Sequence, residues 1–126
     1  MINFDELELN DNTPIYLQIV QYVKRGMAGG IISDGDELPS RRVLSALLGV
    51  NPNTVQKAFR LLEDEGLIQS RTGAKSYASL TPEIAKKLRS QLLLESVRPL
   101  AETLRQAGLS KSEALQLLDS IWEGES

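Results

Sequence analysis

Leu38-Pro39-Ser40-Arg41-Arg42-Val43-Leu44-Ser45-Ala46-Leu47-Leu48-Gly49-Val50-Asn51-Pro52-Asn53-Thr54-Val55-Gln56-Lys57-Ala58-Phe59-Arg60-Leu61-Leu62 is the stretch on which the fold turns. Ser40 is a residue type that caps a helix, and Val43, Leu44, Leu47 and Leu48 make one apolar face behind it. Gly49 supplies a left-handed position that ends the helix. Only Val50 separates it from Asn51, a second cap, and Pro52 takes the first helical position. Val55, Ala58, Phe59 and Leu62 then recur at helical spacing, with the pattern running to about Glu65 and closed by Gly66. Two short helices joined by Gly-Val-Asn predict a helix-turn-helix.

Upstream, Asn12-Thr13-Pro14 reads as a cap followed by a first-position proline. Ile15, Ile19, Tyr22, Val23 and Met27 set the stripe of a helix over about 14–28, stopped by Gly29-Gly30. Ile31-Ile32 is expected as a very short strand and Ser33–Glu37 as a turn. Residues 1–11 are acidic and thinly apolar, which predicts an arm that packs loosely or crosses onto a partner. Downstream, Leu67–Arg71 and Ala74–Ala78 flank Thr72-Gly73 as a hairpin, or wing.

Thr81-Pro82 opens a long helical pattern to about Ala107, in which Pro99 is expected to kink or split the helix near residues 95–98. Gly108 ends it. Ser110-Lys111-Ser112-Glu113 is a capping box before a last helix carrying Ala114, Leu115, Leu117, Leu118, Ile121 and Trp122. The expected fold class is mainly α with a small β wing. A winged helix-turn-helix with its arm occupies 1–79, and a short helical dimerisation region 80–126.

The chain carries a net charge of −3, so any case for nucleic-acid binding rests on where the charges sit. Between Leu38 and Leu62 stand four basic residues, Arg41, Arg42, Lys57 and Arg60, and no acid. With the apolar stripe of the third helix facing inward, Asn53, Lys57 and Arg60 point out, flanked by Thr54 and Gln56. Asparagine suits an adenine edge, lysine a guanine, and threonine a thymine methyl or a phosphate. Arg42 lies on the exposed side of the preceding helix, which in such motifs crosses the DNA backbone. Each arginine taken singly also reads as an ordinary solvated charge. Arg71, Gly73 and Lys75 place two cations and a bare backbone at the hairpin tip. Spacing alone leaves open whether these enter a narrow groove or only shape and solubilise a turn.

With 0 histidines and 0 cysteines, disulfides, thiolate metal sites and Cys/His nucleophiles are excluded. No Gly-Lys-Ser/Thr run follows the Gly26–Gly30 region. Asp34 and Asp36 flank a glycine but lack the further oxygen ligands of a calcium loop. No enzyme, cofactor or metal is therefore expected. No apolar run is long enough to span a membrane and no export signal is visible, so the expected location is the cytoplasm.

From Pro14 to Tyr77 the sequence resembles the winged helix-turn-helix of the GntR family. The likeness is carried by Pro14–Gln18, Gly35–Arg42, Gly49–Val55, Leu62–Ile68 and Arg71–Gly73. The short tail, with Gly108–Lys111 before a final helix, is similar to the YtrA-type members, which lack large effector domains. The resemblance implies a sequence-specific transcriptional repressor with the third helix in the major groove and the wing in the minor groove. It maps DNA contacts onto Arg42, Asn51, Asn53, Thr54, Lys57, Arg71 and Gly73, to which charge adds Arg41 and Lys75. Two positions depart from the family pattern. Lys75 replaces a second wing glycine, and Val43 stands where many relatives carry Glu.

The segment from Thr81 is too short for a core of its own. Leu92, Leu93, Val97, Leu100, Leu104, Leu118, Ile121 and Trp122 are accordingly expected to pack against a second copy, although the same stripes could fold back onto the winged domain. Trp122 is an interface anchor or simply a core residue. A two-fold homodimer sets recognition helices about 34 Å apart, or a multiple of that, on a palindromic double-stranded operator. The tail also leaves room for a small-molecule effector of unknown identity, but no polar constellation marks a pocket. The rival reading is a winged helix used for protein interaction, which would show an apolar or acidic recognition face.

Overall fold

A computed structural model describes residues 1–71, 73 and 75–124, in two compact units, Met1–Ser90 and Gln91–Ser126. In the first unit, α1 (Ile15–Ala28) packs on α3 (Pro52–Asp64), and α2 (Arg41–Leu48) packs on α3 from a second side. β1 (Ile68–Arg71) and β2 (Lys75–Ala78) form an antiparallel hairpin in the register Ile68↔Ala78 to Arg71↔Lys75. Two expected hairpin positions, Thr72 of the turn and Ala74 at the start of the second strand, lie outside the described residues.

The core gathers Ile19, Val20, Val23 and Met27 of α1, Leu44 of α2, and Val55, Ala58, Phe59 and Leu62 of α3. Side chains of this size each contribute about 1.5–3 kcal/mol when fully buried. The caps act as their chemistry dictates. The Ser40 hydroxyl accepts from the Val43 amide and the Asn51 side chain from the Asn53 amide. Gly49, at φ 67°, turns the chain between the two helices in a conformation a side chain would oppose.

Several expectations need correction. The arm is neither loose nor crossed over: Ile2 and Phe4 are 7% and 2% exposed within the core. The Phe4 ring stacks on Tyr22 at 5.2 Å, and the Tyr22 hydroxyl donates to the Asn3 carbonyl. The Ile2 amide donates to the Glu37 carbonyl at 2.7 Å. Neither Asn12 nor Thr13 caps α1. Pro14 occupies the cap position with no side-chain bond, while the Gln18 carboxamide ties down the approach through the backbone of Asn10 and Thr13. Ile31-Ile32 is no strand, because both amides donate to the Gly26 carbonyl as the chain leaves α1. The segment beside β2 is instead Gly35–Leu38, bridged at Glu37↔Tyr77. In α2, Val43 and Leu47 are 57% and 52% exposed, because Leu44 and Ser45 take the inner face.

The fourth helix, α4 (Pro82–Gln106), runs unbroken through Pro99, so the expected split does not occur. The missing proline amide deprives only the carbonyl of Glu95, an exposed residue that water can reach. Its first turns belong to the N-terminal unit, where Leu88 is buried and Ile84 packs on the core.

In the second unit, α5 (Lys111–Ile121) begins with the expected capping box: Ser110 accepts from the Glu113 amide, and Glu113 accepts from the Ser110 amide. No residue of α5 is buried. Val97, Leu100, Leu104, Leu109 and Leu118 line an apolar groove of about 490 Å³. Trp122, 78% exposed, is not a core residue of this chain.

Candidate nucleic-acid interface

The four buried apolar residues of α3 fix its opposite side in solvent. Asn51, Asn53, Lys57 and Arg60 are exposed, and Thr54 and Gln56 are half-exposed at the edges. This ridge carries amides and cations and no carboxylate. Asn51 is partly committed, since its side-chain oxygen accepts from the Asn53 amide at 2.8 Å. Lys57 does not wave freely: its Nζ sits 4.1 Å from the centroid of the Tyr16 ring, which α1 supplies.

On α2, Arg42 is exposed and has no carboxylate partner among the described residues. Arg41 differs. Its guanidinium lies over the Phe59 ring at 5.1 Å and reaches Glu63 at 3.3 Å. Glu63 also accepts from the Ser70 hydroxyl at 2.8 Å, so one carboxylate joins α2, α3 and β1. Charge alone groups Arg41 with the expected DNA contacts; here it also holds α2 to α3, and a phosphate would compete with Glu63 for it.

At the hairpin, Arg71 and Lys75 are exposed and opposite each other in the register, with Gly73 at φ 82° between them. The Arg71 guanidinium lies over the Tyr77 ring at 4.6 Å. Sequence reasoning missed Tyr16, Tyr77 and Glu63. Each acts through a neighbour that is distant in sequence or on the adjoining strand, so no local spacing announces it.

The Asp34 and Asp36 carboxylates are used for local closure. Asp34 accepts from the Leu80 amide and Asp36 from the Ser33 amide, at 2.7 and 2.8 Å. No cluster of potential metal ligands occurs among the described residues. No helix among them is long and apolar enough to cross a membrane.

Comparison with known proteins finds relatives in sequence and in fold. The chain is 29% identical to an uncharacterised helix-turn-helix transcriptional regulator of Bacillus subtilis, YhcF, over 93% of this chain and 97% of that protein. It is 43% identical to the B. subtilis transcriptional repressor YtrA, over 59% of this chain and 57% of that one. A GntR-family regulator of Listeria monocytogenes superimposes with a TM-score of 0.78 at 27% identity, covering 89% of this chain and 98% of the other. Residues 15–77, the span from α1 to the end of the wing, match the gntR family of bacterial regulatory proteins. The chain therefore belongs to the gntR family, as a winged helix-turn-helix DNA-binding transcriptional regulator of YtrA type and not an enzyme.

Proposed function

We propose that the protein is a homodimeric repressor that holds a palindromic operator with α3 in the major groove and the hairpin tip in the minor groove. The observation that carries this reading is the outward ridge of α3, where Asn53, Lys57 and Arg60 stand exposed directly behind four buried apolar residues. Amides and cations at helical spacing match base edges and phosphates, whereas a protein-binding ridge would be apolar or acidic. Repression is supported by the likeness to a protein named a repressor. Homodimerisation is supported by Leu93, Val97, Leu100, Ile121 and Trp122, all exposed. Apolar side chains in that number on a small unit call for a partner. The reading places the protein in the cytoplasm, with the chromosome.

The test begins with duplexes selected from a random pool by the full chain. They should contain an inverted repeat with half-site centres about 34 Å apart or a multiple of it. Affinity for the selected duplex should fall steeply between 50 and 200 mM salt, because phosphate contacts release counterions. Selection of asymmetric sites, or indifference to duplex DNA even in dilute buffer, would overturn the reading.

A further inference from the structure

The geometry points to Tyr16 as a specificity-determining residue of the DNA interface, one that acts by fixing the position of Lys57. This rests on the reading of α3 as the recognition helix. Lysine is a compact charge on a four-carbon stem, and a free lysine loses much rotamer freedom when it is held to one base. A mobile ammonium also satisfies acceptors on several neighbouring bases, so it adds affinity without discrimination. Here the stem is already placed, with Nζ 4.1 Å from the Tyr16 ring centroid. Tyr16 is half-buried in the first turn of α1, so its ring is a fixed platform. The contact it makes with Lys57 is through its π face.

The Arg41–Phe59 contact shows the same chemistry in another use. There the cation is also paired with Glu63, and the arrangement serves α2–α3 packing. Lys57 has no carboxylate partner among the described residues, so its charge remains available while its position is set.

Two measurements test this. In the wild-type protein, the ε-methylene protons of Lys57, assigned by their loss in Lys57→Ala, should be shifted upfield of the other lysines by the Tyr16 ring current. Ordinary shifts would overturn the inference whether or not any variant folds. The second is anisotropy titration with the selected duplex and its single-base variants. Tyr16→Leu should weaken the selected duplex about threefold. It should flatten discrimination at one major-groove position and leave the salt slope unchanged, while Tyr16→Phe behaves as wild type. In a Lys57→Ala background, Tyr16→Leu should cost nothing more. An equal loss in both backgrounds means a role in packing alone and refutes the inference. If Lys57→Ala itself binds as wild type, the reading of α3 falls and this inference with it.

Discussion

Helices α3 and α5 are written in nearly the same grammar: a capping side chain at the start, then apolar residues three and four apart. Their fates differ. In α3 the stripe Val55, Ala58, Phe59 and Leu62 is buried by α1, α2 and the hairpin, while in α5 no residue is buried. An amphipathic stripe thus states only that a partner is needed. Whether the chain itself provides that partner depends on how many other elements reach the stripe. α3 has three such neighbours. Within its own unit, α5 forms one wall of the apolar groove, and Leu115, Leu117 and Ile121 stay about half exposed.

The sharpest way to probe this contrast is to damage each stripe in turn. Phe59→Ala should destabilise the N-terminal unit by about 3–5 kcal/mol, read as a lower denaturation midpoint, because its cavity would be enclosed on all sides. A loss under about 1 kcal/mol would mean that α3 is not the centre of the core. Leu104→Asp should leave that unit folded but convert a dimer to a monomer in sedimentation. Operator affinity should then drop about a hundredfold through lost avidity. An unaltered sedimentation coefficient would remove the α4–α5 surface from the interface.

Next come the exposed sides. Lys57→Ala and Arg42→Ala should each weaken operator binding by about tenfold without moving the thermal midpoint, since neither side chain is buried. The two should separate on closer inspection. Lys57→Ala is expected to relax base discrimination, and Arg42→Ala to lower the salt slope. The smallest effect belongs to the cap of α5. Hydrogen bonds from the Ser110 backbone and side chain hold the Glu113 carboxyl below its usual range. A depressed carboxylate pKa adds stability that is present above the unfolded value and lost as pH falls through the folded one. Amide protection in α5 should therefore decline on acidification below about pH 4.3 and be insensitive to pH in Glu113→Gln.

The elements legible from the sequence were those governed by short-range rules. Ser40, Asn51 and Ser110 cap the helices they precede, and the α3 stripe faces inward, because both depend on residues within one or two turns. The rest needed long-range information. Phe4 is one large side chain in an acidic arm, with no periodic company to signal its burial. α2 is only eight residues long, and its apolar face is wider than the strip that the core covers, so Val43 and Leu47 could not be told from Leu44 by pattern. Tyr16 and Lys57 lie on different helices, and their contact is a product of α1–α3 packing.

Chain ends are ordinarily expendable, but the beginning of this one is not. Clipping the first five residues would withdraw Ile2 and Phe4 from the interior and strip Tyr22 of both its stacking ring and its acceptor. It would also orphan the Glu37 carbonyl, next to the strand that carries Tyr77. A nick at this end would therefore be felt at the wing.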